Sequence, residues 1–328
     1  MRVLVTGPNG FVGLNIVEAL TSDGHEVLAY VRPTSNVTYL ERFEPHLISG
    51  ELSDYDRLVD ALADADAIIH SAGNTSSYEK DLPVLRAVNV EGTRTVVRAA
   101  VSAGVRRLVY TSTTSTIGAD SDANRRWAEG EELRGFRATN PYGRTKLEAE
   151  HIVLGAREDG LEPVILNPAE VVGAWDHTRQ WGTMVLAVCG DQVPFLPPGS
   201  ASFCYAAAVG RAHVRALTAG RPGERYILAG TDSRFTDFID CIAEVTGSSY
   251  SVDERPYEWH YERALEQERR YPIDGTLPLV DPYRMRVFAG HYLFDCSKAE
   301  RELDFEVLPL ETMVREAYEW YRTNGFLD

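Results

Sequence analysis

A tyrosine and a lysine lie four residues apart at the start of a predicted helix, at Tyr142 and Lys146. Residues at this spacing project from one face of a helix, so the ammonium group can reach the phenol. A phenol has a pKa of about 10 and transfers protons poorly at neutral pH. A nearby positive charge favours the phenolate and lowers that pKa. The pair predicts an acid–base site, although the same spacing also arises in helices by chance.

A cluster of hydroxyl side chains follows a short apolar strand earlier in the chain. The predicted strand Arg107–Thr111 runs directly into Thr111-Ser112-Thr113-Thr114-Ser115. Open α/β sheets bind their ligands at the carboxyl ends of the strands, so the hydroxyls are predicted at the ligand-binding edge. A hydroxyl at Thr113 can hydrogen-bond a substrate oxygen and orient it toward Tyr142. A polar strand end that makes only local hydrogen bonds is the alternative.

Three glycines follow the first predicted strand, in the segment Thr6-Gly7-Pro8-Asn9-Gly10-Phe11-Val12-Gly13. Glycines allow a tight turn, a close approach of the backbone to a pyrophosphate and close helix–sheet packing. The free N–H groups of the helix that follows attract the phosphates. The pattern alone is weak, but its position between a strand and a helix strengthens it. We therefore predict a dinucleotide site formed by Gly7, Asn9, Gly10, Phe11, Val12 and Gly13.

The end of the second predicted strand bears on which dinucleotide is bound. NAD sites usually place a carboxylate there to accept from the ribose 2′-hydroxyl. This chain has Arg32 and no acid in the segment 29–35. An arginine can pair with a 2′-phosphate, so NADP(H) is the predicted cofactor and NAD(H) the alternative. A surface arginine at the end of a strand is the competing interpretation of Arg32.

The ends of the third and fourth predicted strands supply further cofactor candidates. Glu51 and Leu52 follow the third strand, where an acid meets the adenine edge of a nucleotide, although a solvated loop glutamate fits equally well. The fourth strand ends in His70-Ser71-Ala72-Gly73. The small residues Ala72 and Gly73 allow the backbone to run beside the cofactor. His70 itself is expected to be a packed residue and not a catalyst.

Short β-branched runs alternate with amphipathic stretches over the first 170 residues. The predicted strands are Arg2–Thr6, Glu26–Val31, Ala67–His70, Arg107–Thr111 and Pro163–Asn167. The predicted helices are Phe11–Thr21, Leu82–Ala103 and Tyr142–Glu158. Apolar strands bounded by helices indicate parallel βαβ units. The predicted fold is α/β, a doubly wound parallel sheet (Rossmann fold) in residues 1–170. Residues 171–328 are predicted to form a smaller C-terminal substrate-binding region interleaved with that sheet.

Several polar and aromatic residues have two interpretations each. Asn89 lies in the middle of a predicted helix, where asparagine is a mediocre helix former. It either bonds backbone groups or a water chain behind Lys146, or it is merely tolerated. Four aromatic residues of the loops either line an apolar pocket or belong to the core, namely Trp127, Trp175, Trp181 and Phe195.

The overall composition limits the partners of the chain. With 328 residues and a formal net charge of −16, it repels phosphate backbones and anionic lipids, so neither nucleic acid nor a membrane is an expected partner. The four cysteines lie far apart without CxxC spacing, which predicts neither disulfides nor a metal site and favours a cytoplasmic protein. No apolar run reaches the ~20 residues that span a bilayer. A small molecule is the expected substrate.

Taken together, these residues resemble the extended short-chain dehydrogenase/reductase family, of the NAD-dependent epimerase/dehydratase type. The matching pieces extend over nearly the whole chain, and they are Thr6–Gly13, His70–Gly73, Asn89–Thr93, Val109–Thr113, Tyr142–Lys146, Asn167-Pro168, Val171–Gly173, Gly223–Tyr226 and Phe294–Ala299. Within the family the chain looks most like the dihydroflavonol-reductase-like members.

The resemblance implies roles for individual residues. Tyr142 is the implied acid/base, Lys146 is its partner, and Thr113 takes the usual serine position. Hydride then passes to or from carbon while Tyr142 handles the proton on oxygen. The cofactor contacts that the resemblance adds are Thr111, Tyr142, Lys146, Pro168 and Val171. Members of the family often dimerise through the helix that bears the tyrosine and the helix before the strand Arg107–Thr111, so a homodimer is a hypothesis and the oligomeric state stays open.

Two departures from the family pattern narrow the expected function. Thr114 and Ser115 stand where similar sugar dehydratases carry acids, so a dehydratase is not expected. The segment 205–209 lacks the polar groups that many relatives have there, which leaves the substrate open. The leading hypothesis is an NADP(H)-dependent oxidoreductase acting on a carbonyl or secondary alcohol of a small molecule. A nucleotide-sugar epimerase with tightly bound NAD is the alternative, and a non-catalytic NADP-binding regulator is a third possibility.

Overall fold

A computed structural model describes residues 1–118, 121–275 and 280–327 of the chain. Within these residues the backbone forms twelve strands, which are β1 (Arg2–Thr6), β2 (Glu26–Val31), β3 (His46–Ser49), β4 (Ala67–His70), β5 (Arg107–Thr111), β6 (Arg126–Trp127), β7 (Glu162–Pro168), β8 (Glu170–Val172), β9 (Ser200–Tyr205), β10 (Arg225–Leu228), β11 (Thr231–Arg234) and β12 (His291–Phe294).

The same residues contain twelve α-helices, which are α1 (Phe11–Ser22), α2 (Tyr55–Leu62), α3 (Leu82–Leu85), α4 (Thr93–Ser102), α5 (Pro141–Gly155), α6 (Gly182–Cys189), α7 (Ala206–Ala216), α8 (Phe235–Thr246), α9 (Tyr257–Asp274), α10 (Pro282–Phe288), α11 (Ser297–Leu303) and α12 (Leu310–Thr323). A π-helical segment, Arg86–Gly92, joins α3 to α4. None of the described helices combines the length and the apolar character needed to cross a membrane.

Seven strands form a parallel sheet in the order β10-β7-β5-β4-β1-β2-β3. Strand β1 pairs with β2 on one side and with β4 on the other. The chain therefore first extends the sheet on one side of β1, through β2 and β3, and later on the other side, from β4 onward. This reversal opens a crevice at the carboxyl edge between β1 and β4, where sheets of this kind bind ligands. The predicted doubly wound α/β fold is confirmed.

Successive side chains of the sheet point to opposite faces, and each face packs in its own hydrophobic layer. On β1, Val3 and Val5 belong to the layer shared with α1 and α7, and Leu4 belongs to the layer beneath α2, α4 and α5. All three side chains are fully buried, and each such burial contributes roughly 1.5–3 kcal/mol. Helix α7 packs closely on α1, because a Cβ at Gly210 would lie 2.2 Å from the carbonyl oxygen of Asn15.

A second sheet of five strands stands next to the carboxyl edge of the first. Its order is β11-β9-β12-β6, and β8 pairs with β9 off this path. Strand β11 is antiparallel to β9, and the other pairs are parallel. Apart from β6, its strands come from beyond residue 169, yet β10 from the same part of the chain completes the main sheet.

The predicted elements of the first 170 residues agree with the structure to within a few residues. Helix α5 begins at Pro141 and ends at Gly155, and a 3-10 turn then continues to Asp159. The predicted helix Leu82–Ala103 contains the π-helical segment that its periodicity did not indicate. The stretch 253–281, which had no assignment from its pattern, contains α9.

Candidate active site

A cleft of about 430 Å³ opens at the carboxyl edge of the main sheet. One end of it, called here the nucleotide end, is formed by the loop between β1 and α1. The other, the substrate end, is formed by side chains from the second sheet and its connections. Among the residues predicted for the site, those lining the cleft are Gly7, Gly10, Phe11, Val12, Gly13, Gly73, Thr111, Thr113, Tyr142, Lys146, Pro168 and Val171.

The glycine loop of the nucleotide end, Gly7–Gly13, leaves no space for side chains at its first and last residues. Gly7 has φ +67°, and a Cβ there would lie 2.7 Å from the backbone of Ala72. A Cβ at Gly13 would lie 2.0 Å from the carbonyl oxygen of Gly7. No side chain caps the N-terminus of α1, and its first turn carries no acid. The backbone N–H groups of that turn can therefore bind a phosphate, so the loop fits a dinucleotide.

Five of the predicted cofactor residues do not line the cleft. Asn9 donates to the carbonyl oxygen of Asn36 (3.2 Å), in the loop that follows β2. The remaining four have other surroundings: Arg32 and Glu51 are exposed, Leu52 packs against the hydrophobic layer under α2, and the backbone of Ala72 supports Gly7.

His70 lies beneath the cleft as a fully buried residue. Its ring nitrogens are 2.6 Å from Thr6 Oγ1 and 2.9 Å from Thr93 Oγ1, so both have partners. Burial lowers the pKa of His70 to about 3, which keeps the ring neutral at neutral pH. This is the packed residue that the sequence predicts.

Lys146 lies at the junction of the two ends and is almost completely buried. Its Nζ donates to the carbonyl oxygen of Thr111 (2.7 Å) and lies 4.1 Å from the ring centroid of Tyr110. Burial lowers the pKa of Lys146 to about 7, and the carboxylate of Glu150, one helical turn later, opposes that change. The lysine therefore loses its proton far more readily than a surface lysine does.

Tyr142 is held in place by the start of α5. Asn140 caps this helix by accepting from the backbone N–H of Tyr142 (3.0 Å), and Pro141 occupies the first turn. Burial raises the pKa of the phenol to about 12, although a hydrogen bond with the Thr113 side chain lowers it. Desolvation is the largest cause of this shift, and the Nζ of Lys146 donates to Thr111, so the lowering of the Tyr142 pKa by Lys146 together with a positive nicotinamide stays a prediction.

Asn89 joins the loop after β4 to the helix that carries the tyrosine and lysine. Its Oδ1 accepts from the backbone N–H of Asn74 (2.8 Å), and its Nδ2 donates to Asn74 O and to Thr145 Oγ1. The residue lies in the π-helical segment Arg86–Gly92, where the helix widens. Of the two interpretations of Asn89, the backbone-bonding one is therefore correct.

Glu150 is a buried carboxylate on α5, next to the residues that follow β5. The sequence analysis did not identify it. It is fully buried, forms an ion pair with Arg225, and accepts from Ser112 (2.5 Å), Thr116 (2.9 Å) and Asn167 (2.8 Å). Ser112 and Thr113 both line the cleft, but the Ser112 hydroxyl is engaged by Glu150. An acid one turn after Lys146, on the same buried helix face, was the signal that could have revealed it.

The substrate end combines aromatic rings with charged side chains that the sequence did not indicate. Of the four ambiguous aromatic residues only Trp181 lines the cleft, and its Nε1 donates to Glu170 (2.9 Å). Burial raises the pKa of the Glu170 carboxyl. The other residues of this end include Arg137, Phe235, Tyr283, Arg284, Phe288, Tyr292 and Phe294. The substrate end is therefore mostly aromatic, with a few charged groups.

Proteins of known sequence resemble this chain over its whole length. It is 29% identical to sterol demethylase protein B of Methylococcus capsulatus, over 100% of both chains. It is 28% identical to a putative dihydroflavonol 4-reductase of Synechocystis sp., over 98% of this chain and 95% of that one. It is 33% identical to the 3 beta-hydroxysteroid dehydrogenase/Delta 5-->4-isomerase of Mycobacterium tuberculosis, over 94% of this chain and 86% of that one.

Solved structures share the fold. The crystal structure of gox2253 has a TM-score of 0.84 and 28% identity, covering 100% of this chain and 99% of that chain. The UDP-glucuronic acid 4-epimerase from Bacillus cereus, solved in complex with UDP-glucuronic acid and NAD, has a TM-score of 0.77 at 20% identity. The match covers 99% of this chain and 100% of the epimerase chain, and it supports the fold only.

The sequence profile of the NAD dependent epimerase/dehydratase family matches residues 3–229, which include the glycine loop, the hydroxyl cluster and the Tyr142–Lys146 pair. Two of these relatives are named as a reductase and as a dehydrogenase/isomerase. The chain therefore belongs to the NAD-dependent epimerase/dehydratase family, and it is an oxidoreductase of the extended short-chain dehydrogenase/reductase kind.

Proposed function

We propose that this chain is an NADP(H)-dependent oxidoreductase that interconverts a carbonyl and a secondary alcohol on a small, mostly apolar molecule. The observation that carries the proposal is a single cleft that contains the glycine loop, the groups of Thr113, Tyr142 and Lys146, and an aromatic lining. The relatives named for sterol and dihydroflavonol chemistry support a ring-containing substrate. Residues 171–328 supply most of the aromatic lining, which supports their role as the substrate-binding region.

The cofactor would be held by the backbone of Gly7–Gly13 at its pyrophosphate and by Lys146 at a ribose hydroxyl. When bound, the nicotinamide supplies or takes up a hydride. In the reducing direction, the phenol of Tyr142 donates its proton to the substrate oxygen, and the Thr113 hydroxyl orients that oxygen by a hydrogen bond. Because burial raises the pKa of Tyr142 to about 12, the phenol carries the proton that the reducing direction consumes.

Replacement of Tyr142 by phenylalanine tests this proton transfer. With cyclic and aromatic ketones as substrates, Tyr142→Phe should lower kcat by about 10²–10⁴-fold, because the proton donor is lost. Its affinity for the cofactor should stay within about threefold, because the ring remains. Tyr55→Phe is the control, since that hydroxyl bonds Ser102 on the surface. Rates of NADPH oxidation measure turnover, and an unchanged kcat in Tyr142→Phe contradicts the mechanism.

Arg32 supports NADP(H) over NAD(H) as the cofactor. It is exposed, directly follows β2, and forms no ion pair within the described residues, so a 2′-phosphate can reach it. Arg32→Ala should weaken NADPH binding by roughly tenfold and leave NADH binding unchanged. Arg42→Ala is the control. Arg42 lies on the 3-10 helix that follows β2, and its guanidinium donates to Asn324. Fluorescence titration measures both affinities.

The cofactor that co-purifies with the protein gives a second readout. Exchangeable NADP(H) is the expected result. NAD that is held tightly and resists exchange contradicts the NADP(H) proposal and favours the nucleotide-sugar epimerase instead.

A further inference from the structure

Arg137 is a buried arginine at the substrate end of the cleft. It lies on the 3-10 turn Gly135–Thr139 that leads into α5, and only 4% of its surface is exposed. Its Nη2 donates to Thr114 O (2.7 Å) and its Nε to Ile117 O (3.1 Å). These bonds use two of its five N–H groups, and the side chain lines the cleft.

No carboxylate in the described part of the chain forms an ion pair with Arg137. Its guanidinium lies instead against aromatic rings, 4.7 Å from the centroid of Tyr292 and 5.5 Å from that of Phe294. A buried cation is costly unless an anion and further hydrogen bonds compensate it. In agreement with this, burial lowers the pKa of Arg137.

Glu170 is a nearby carboxyl group whose charge acts on Arg137 without forming an ion pair with it. It accepts from Trp181 Nε1 and lies beyond ion-pair distance of Arg137. Burial raises the pKa of its carboxyl, whereas the charges of Arg284 and Arg137 lower it. Arg284 lines the cleft as well, but it forms an ion pair with Asp281 (3.7 Å). Within the described residues Arg137 therefore differs from Arg284 in having no ion pair, in a chain whose net charge is −16.

We infer that Arg137 forms a binding subsite for a carboxylate on the substrate, an inference that rests on the proposed function for the position of the substrate. The planar guanidinium presents parallel N–H groups that match the two oxygens of a carboxylate. The aromatic rings of the cleft pack against the apolar body. The substrate class is thus an apolar hydroxy or oxo compound that carries a carboxylate in addition to its reacting oxygen.

Binding of a matched pair of probes tests the subsite without turnover. Cyclohexanecarboxylate and cyclohexanecarboxamide have the same apolar body and differ in charge. Calorimetric titration uses the protein saturated with whichever nicotinamide cofactor it binds more tightly, so that the glycine loop is occupied. We expect the carboxylate to bind roughly tenfold to hundredfold more tightly than the amide. Equal affinities overturn the inference. Inorganic phosphate is the third probe, and phosphate binding as tight as that of the carboxylate also overturns it.

Two variants locate the subsite. Arg137→Gln should abolish the preference for the carboxylate, whereas Arg286→Gln should retain it, because Arg286 stacks on Phe136 outside the cleft. Preference retained in a folded Arg137→Gln protein overturns the inference. Arg137 also supports two backbone carbonyls, so thermal unfolding is measured first. If Arg137→Gln does not fold, the probe pair on the unaltered protein decides by itself, together with a decrease of the preference as salt increases.

The two proposals fail differently. If the protein binds the carboxylate probe but reduces none of the ketones, the result contradicts the proposed reductase activity and supports the carboxylate subsite. If the protein reduces neutral ketones but binds the carboxylate probe no more tightly than the amide, the result contradicts the subsite and supports the activity.

Discussion

The two ends of the cleft are built in different ways. The nucleotide end consists of the backbone of one continuous loop, Gly7–Gly13, closed against Ala72. The substrate end consists of side chains from separate segments of the chain, which extend in sequence from Arg137 to Phe294. A backbone site depends on small residues at fixed spacing, whereas a side-chain site depends on the tertiary arrangement. The first is therefore visible in a sequence motif and the second is not.

The two ends should also differ in their tolerance of substitution. At the nucleotide end a single methyl group collides with backbone that cannot move aside. At the substrate end, rings contact other rings, as Trp181 does with Phe235 (5.7 Å) and Phe203 (5.4 Å), and such contacts accept an exchange of aromatic side chains. Three experiments test this comparison.

The largest effect is expected for Gly7→Ala, with Gly24→Ala as its control. Both glycines have positive φ, +67° and +74°, but nothing lies within 4 Å of a Cβ at Gly24. Gly24→Ala should lower the free energy of unfolding by about 1–2 kcal/mol, from backbone strain alone. Gly7→Ala should lower it by about 3 kcal/mol or more and weaken cofactor binding by roughly tenfold. Urea unfolding and cofactor titration measure both, and equal losses in the two variants contradict the close packing of the glycine loop.

A smaller effect is expected from Lys146, where the two ends meet. Its pKa is about 7 in the folded protein against 10.5 as the ordinary value, so between these pH values the unfolded chain binds more protons. Lys146 therefore makes the free energy of unfolding rise with pH in this window, by up to about 1.4 kcal/mol per pH unit.

Lys146→Met should remove that contribution. The slope between about pH 7 and pH 9 should decrease in this variant relative to the unaltered protein. Lys80→Met should leave the slope unchanged, because Lys80 is a surface residue paired with Asp81. Urea unfolding at several pH values gives the slopes. If the slope of Lys146→Met equals that of the unaltered protein, the lysine is not desolvated as the structure indicates.

The smallest effect is expected for Trp181→Phe at the substrate end. Phenylalanine retains the ring contacts but not the hydrogen bond to Glu170, so the free energy of unfolding should decrease by about 1 kcal/mol. Because that bond lowers the pKa of Glu170, the pKa should rise further in the variant. The pH profile of substrate binding should move upward accordingly, while cofactor affinity stays constant.

A second indole–carboxylate pair provides the control for this variant. Trp175 donates to Glu18 (3.0 Å) away from the cleft, so Trp175→Phe should change stability similarly without moving the pH profile. A profile that moves equally in both variants would show that the effect does not arise at Glu170.

The sequence predicted the residues whose contacts are local and missed those whose partners are distant. Tyr142 and Lys146 are four residues apart on one helix, and the glycine loop is one short continuous segment, so their arrangement follows from helix and turn geometry. Glu150 looked like any other helical acid, because its partner Arg225 lies in a strand far along the chain. The burial that raises the pKa of Tyr142 was not visible in the sequence for a similar reason, since burial is a property of the folded environment.

What the sequence determined by itself is the alternation of strands and helices, the parallel sheet and the place of the dinucleotide loop, because periodicity and glycine spacing are local properties. Only the tertiary structure decided that Arg137 is buried without a carboxylate partner among the described residues, that Glu170 faces the same cleft and that Trp181 lines it while Trp175 does not. These facts depend on which distant segments the second sheet brings together. Burial and charge compensation arise from that packing, and no short stretch of sequence contains them.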